Sequence, residues 1–268
     1  MRNARWILLT ALLVAGCAAN SQTTENRKTL QAGYQALESG DYDTAMAQSE
    51  QFLRDNPTAG RGTPEALYLQ GRVLEHRAEA ADNAGHEAEA RANLQDARST
   101  YEHALELKPS PKLAALLHAG VANTAYFQED YFIAMREGSA ALPGLSQPEA
   151  KAWVLYRLGL SQQRLGRFDE ADHTFADVRK QFPNTEPAQR AAAHEGARAF
   201  YVALGSWANA KEADTVLNAL HAQGFSATES THASGRRAVK VGPAYNYEQA
   251  KSLRARLLGA YPAAVIEP

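Results

Sequence analysis

Few residues in this chain have chemistry to offer. There is one cysteine, Cys17, so no disulfide can form within the chain. It follows Val14-Ala15-Gly16 at the end of an apolar run, Trp6 to Ala15, with Arg2 and Arg5 at its start. The dipeptide His-Glu occurs twice, at His86-Glu87 and His194-Glu195. A helical zinc site of the HExxH kind needs a second His four residues after the first, and those positions hold Ala90 and Arg198. No phosphate-cradling glycine loop, dinucleotide fingerprint, GxSxG or SxxK occurs. The other histidines are scattered over helical stretches, and the acidic pair Glu129-Asp130 reads as turn polarity. The expectation is a binding protein with no catalytic residue, no metal and no cofactor.

The elements that carry these residues must fit into 268 residues, room enough for two domains. A hydrophobic share of 45%, a charged share of 22% and a mean hydropathy of −0.44 exclude a polytopic membrane protein. A net charge of −2 gives no reason to expect nucleic acid. The charge is unevenly spread, however. Residues 18–197 hold 18 Lys and Arg against 25 Asp and Glu, a balance of −7, and residues 198–268 hold 8 against 5, a balance of +3. Opposite signs suggest two modules with different partners.

The N-terminal pattern reads as a signal peptide over residues 1–16: a basic start, an apolar stretch far short of the roughly 20 residues of a membrane-spanning helix, and small residues before a cut. Val14-Ala15-Gly16-Cys17 resembles the lipobox of bacterial lipoproteins. That resemblance implies cleavage before Cys17, lipidation of its thiol and a firm membrane anchor, because two or more acyl chains hold stably. Ala18, where an Asp would retain the protein, implies transfer to the outer membrane, facing the periplasm. Residues 17–27, polar from Asn20 onward, read as a flexible tether.

Residues 28–197 contain a repeat. Gly159, Ala171, Phe175 and Pro183 are spaced as in a helix-turn-helix unit of 34 residues, with the turn at Gly166-Arg167-Phe168-Asp169. An earlier copy has Gly33, Ala45 and Pro57, and another has Gly71, Ala97, Tyr101, Ala104 and Pro109. A fainter one surrounds Glu129-Asp130-Tyr131. Small residues let antiparallel helices cross closely, Tyr101 and Phe175 fill the space beside them, and proline stops the second helix. These positions resemble the tetratricopeptide repeat, which implies a curved stack whose groove holds a protein partner. The copy starting near Gly71 carries 14 extra residues, read as lengthened helices around a loop at Asn83-Ala84-Gly85. This is either a solvated extension or a docking protrusion. Pro187 to Arg198 reads as a last, capping helix.

After Arg198 the period changes. Phe200 to Trp207 alternates as a strand and Ala210 to Gln223 has helical spacing. Phe225–Glu229 and Arg237–Val241 are strands, Tyr247–Leu258 a helix and Ala263–Ile266 a final strand. The order βαββαβ is an α+β, ferredoxin-like unit. Phe200-Tyr201-Val202, Leu204-Gly205-Ser206-Trp207, Gly224-Phe225 and Val239-x-Val241-Gly242-Pro243 resemble the SPOR domain over 198–268. The resemblance implies binding of peptidoglycan glycan strands, stripped of stem peptides, on a bare sheet face. Alternation turns Phe200, Val202, Leu204, Val239 and Val241 toward the helices, and Tyr201, Ala203, Arg236, Ala238 and Lys240 toward the bare face. Tyr201, Ser206, Arg236 and Lys240 are therefore the candidate glycan contacts. Ser206 is at the rim, where a turn-forming role competes, and Trp207 reads as a lid on the first helix of the domain. Ala203, Arg236 and Ala238 depart from residues the family often has. The expected function is a periplasmic adaptor lipoprotein, bound to septal glycan and to a protein partner. The alternative is an envelope-assembly scaffold that works through its repeats alone.

Overall fold

The computed structural model describes residues 21–58, 60–231 and 235–268. Cys17 and the apolar segment before it lie outside these residues, as does the start of the tether. The described chain divides into two compact units, residues up to Leu158 and residues from Gly159 onward.

The first unit contains three antiparallel helix pairs: α1 (Ser21–Ser39) with α2 (Tyr42–Asp55), α3 (Thr63–Asn83) with α4 (Glu87–Glu106), and α5 (Pro111–Phe127) with α6 (Tyr131–Ala141). The starts are set by side chains that accept from exposed backbone N–H groups: Asp41 for α2, Ser110 for α5 and Asp130 for α6. The expected crossings are present. A Cβ on Gly71 would lie 2.2 Å, and one on Gly120 2.5 Å, from the ring of Tyr101, so a buried tyrosine is clasped between two helices that approach it with bare backbone. Tyr68, Leu69, Phe52, Leu113 and Leu117 complete the core. The 14 extra residues do lengthen α3 and α4, and the turn between them is Ala84-Gly85-His86, with Gly85 in the left-handed region. The faint copy is a full helix pair. Its Asp130 caps α6 and accepts from Arg98 of α4 at 3.1 Å, which gives the acidic turn a structural purpose.

Helix α1 begins at Ser21, so residues 21–27 are helical and not tether. Asn26 Nδ2 donates to Asn56 Oδ1 at 2.7 Å, tying the early turns to the end of α2.

The second unit begins within α7 (Pro148–Arg164) and continues through α8 (Phe168–Gln181) and α9 (Glu186–Ala192). Phe175 of α8 fills the space left by Gly159, whose Cβ would meet it at 2.6 Å. Helix α9 stops at Ala192, well short of Arg198. The chain then turns, with Gly196 in the left-handed region and its N–H donating to Asp172 Oδ1 at 2.9 Å.

Four strands and two helices follow: β1 (Phe200–Trp207), α10 (Ala210–Ala222), β2 (Ala227–Thr231), β3 (Arg237–Ala244), α11 (Tyr247–Leu257) and β4 (Val265–Glu267). The sheet is antiparallel in the order β2-β3-β1-β4. Strand β2 starts two residues later than alternation suggests, because Phe225 still closes α10 by donating to Leu220 O at 3.0 Å. Strand β3 runs past Val241 through a bulge at Gly242-Pro243, a cis peptide. Val202, Leu204, Val239 and Val241 form one core with Ala213, Leu220 and Leu257, so α10 and α11 cover a single sheet face.

Candidate functional site

The opposite face of the sheet is built by register. Ala203 lies across from Lys240 and Ser206 across from Ala238. Parity alone would turn Ser206 to the same side as Val202 and Leu204. A bulge between Ala203 and Gly205 adds one residue to β1 and restores Ser206 to the bare face. Gly205, at φ +142, supplies the backbone conformation. The same shift sends Trp207 inward, where it packs against the domain core as the expected lid.

The four candidate residues fall into two pairs. The Lys240 ammonium stands 4.1 Å from the centroid of the Tyr201 ring, a cation–π contact. The Arg236 guanidinium donates from Nε to Ser206 Oγ at 3.0 Å, and from Nη2 to the Ser206 carbonyl. Between the pairs lie Ala203 and Ala238, both half-exposed, as a shallow methyl floor. Tyr201 has its place because Gly242 lacks a side chain: a Cβ there would sit 2.7 Å from Tyr201 Cδ1. Register adds four residues that sequence reasoning missed. Thr228 and Ser230 on β2 flank Lys240 and Ala238, and Val265 and Glu267 on β4 flank Ala203 and Tyr201. Their signal was period-two alternation in strands too short, at five and three residues, to make it stand out. The platform combines hydroxyls, an aromatic ring, two cations and, at the β4 edge, the Glu267 carboxylate. That chemistry suits an extended, hydroxyl-rich ligand bearing negative charge.

In the helix pairs a few charged groups turn inward. Glu75 of α3 is buried and accepts from the Tyr101 hydroxyl at 2.8 Å and from Asn123 of α5, and Arg72 Nη1 lies 3.6 Å from its carboxylate. Arg157 donates to Asn123 and rests 4.6 Å from the centroid of the Phe127 ring. Burial, then the Glu75 charge, raise the Tyr101 phenol above its usual range. His76, stacked on Tyr42 at 4.5 Å, is pushed down to about 4 by burial and by Arg72. This network joins three consecutive first helices of the repeats and is architectural.

Comparison with known proteins agrees with the geometry. The SPOR family matches residues 196–267. Residues 196–267 are a SPOR domain. The tetratricopeptide repeat family matches residues 153–185, which are such a repeat. A solved structure, a thermophilic TPR protein of Thermus thermophilus, is 22% identical over 63% of this chain and 98% of its own, with a TM-score of 0.35. None of the curated proteins matches the chain. A SPOR domain binds peptidoglycan and tetratricopeptide repeats bind protein partners, so two binding modules are joined here.

Proposed function

We propose that this protein is an adaptor lipoprotein of the bacterial cell envelope. In this reading Cys17 carries the lipid that holds it in the outer membrane, and the SPOR sheet grips glycan strands at the division septum. The helix pairs dock a protein partner. One observation carries the proposal: a SPOR sheet with a bare face on which Lys240 rides Tyr201 and Arg236 is latched to Ser206. The Tyr201 and Ser206 hydroxyls suit the ring hydroxyls of a sugar, and the carboxylates of glycan freed of peptide complement the two cations.

The test is co-sedimentation of the chain from residue 18 onward with amidase-treated sacculi. The intact protein pellets at low salt, and Tyr201→Ala with Lys240→Ala abolishes most of the binding. Failure of the unaltered protein to pellet rejects the glycan role. A second reading, an envelope-assembly scaffold working through its repeats alone, is favoured by the methyl floor at Ala203 and Ala238, where the family often has larger groups. A fluorescent fusion separates the two: midcell signal lost with Tyr201→Ala and Lys240→Ala supports the septal adaptor, and an even envelope signal that ignores the substitutions supports the scaffold.

A further inference from the structure

The SPOR sheet does not end at its own helices. Phe200, the first residue of β1, shares a buried cluster with Ala244 and Ala250 of the domain and with Phe168, the first residue of α8 in the preceding repeat. The Phe168 and Phe200 rings lie 5.6 Å apart, and Tyr247 meets Phe200 edge-on at 5.7 Å. The Arg164 guanidinium, at the end of α7, sits 3.5 Å from the centroid of the Tyr247 ring. The turn between α7 and α8 approaches so closely that a Cβ on Gly166 would lie 2.3 Å from the Tyr245 carbonyl oxygen. The connecting residues are pinned to the same repeat: Arg198 donates to Asp172 Oδ2 at 2.6 Å, and Arg179 to Glu195 at 2.6 Å.

We infer that the last helical repeat is part of the glycan site, with Phe168 and Arg164 as positioning residues that act through Phe200 and Tyr247 on Tyr201. Tyr201 follows Phe200 directly and points to the other face. It stands where β3 carries an extra residue, so it has no partner in the β1–β3 register. What fixes its ring is the anchored Phe200 beneath, the bare backbone of Gly242 beside it and Lys240 above. Loosening Phe200 from below therefore frees the contact on top. The consequence is that glycan binding responds to what happens at α7 and α8, the helices through which a protein partner would be felt.

This inference rests on the glycan reading, and the test keeps the two apart. In the chain from residue 18 onward, Phe168→Ala weakens binding to amidase-treated sacculi by about tenfold. Phe168→Leu, which keeps an apolar cover, retains most of it, and Arg164→Gln gives a smaller loss without opening a cavity. In a Tyr201→Ala background, Phe168→Ala has no further effect, because the contact it positions is already gone. In a Trp153→Phe background, the near-ultraviolet dichroism of Trp207 reports whether the domain core survives. Full binding by Phe168→Ala and Arg164→Gln, with the unaltered protein pelleting normally, overturns the positioning role and leaves the glycan role standing. Equal loss with and without Tyr201 also overturns it, since that is what general unfolding produces. If the unaltered protein does not pellet, the glycan reading fails first.

Discussion

Glu75→Leu removes the one carboxylate at the centre of the buried network and asks how much the repeats depend on it. Three losses can be read from the geometry. The buried Arg72 guanidinium is deprived of the charge 3.6 Å away, and the Tyr101 hydroxyl and the Asn123 amide each lose an acceptor. Breaking a buried ion pair from one side costs about 3–5 kcal/mol. Each orphaned buried donor costs about 1–3 kcal/mol when it finds no water. These costs overlap, and a net loss of about 4 kcal/mol is expected. Replacing both charges, Arg72→Met with Glu75→Leu, also removes the guanidinium that Glu75 neutralises and leaves the two orphaned donors, so the pair should lose only about 2 kcal/mol. Urea unfolding of the first unit can be followed through Trp153, which is buried there, in a Trp207→Phe background. A single substitution that costs less than about 1 kcal/mol would show that the network is incidental. A double variant no better than the single one would show that the buried Arg72 charge is not the dominant cost.

Other consequences follow from the same contacts. Gly71→Ala forces a methyl group into the Tyr101 ring and should destabilise by about 1–3 kcal/mol, helix propensity notwithstanding, whereas Gly138→Ala meets its neighbours at 3.9 Å and should stabilise by about 0.5–1 kcal/mol. Thermal melts of the two variants should move in opposite directions. His76 titrates near 4 in the folded state against about 6.5 unfolded, so the unfolded chain takes up the proton first and stability falls as pH drops from 6.5 toward 4. Between pH 7 and 5 the loss is up to about 2 kcal/mol, eased by Glu79 at 3.8 Å and deepened by Arg72 at 3.5 Å, and His76→Phe, which keeps the stack on Tyr42, should flatten that slope in urea titrations. Cys17→Ala should move the protein from the membrane fraction to the soluble periplasmic fraction; retention in the membrane would reject the lipid anchor.

What was legible in the sequence follows from how each signal is carried. The glycines, alanines and large apolar residues of the repeats mark helix crossings because a crossing constrains residue size at fixed spacing. For that reason Tyr101 and Phe175 could be placed against Gly71 and Gly159 from spacing alone. Alternation located the strand faces for the same kind of reason, but it cannot see a bulge. Ser206 reaches the bare face only because Leu204-Gly205 adds a residue opposite Val239, and the sequence hint was a glycine in a strand interior. The ends of elements were less readable. Phe225 could open a strand or close a helix, and only the bond to Leu220 O decides for the helix. Least readable was the cluster of Phe168, Phe200 and Tyr247. Each of the three residues satisfies its own local pattern: a repeat turn, an inward strand position, a helix start. Nothing in sequence order says that they touch. Domain boundaries drawn from motif ends pass between Phe168 and Phe200, and the contact that ties the last repeat to the sheet is the one such boundaries conceal. A chain cut at residue 198 would strip Phe168 from Phe200, so the proposed glycan site is better studied with the repeat attached.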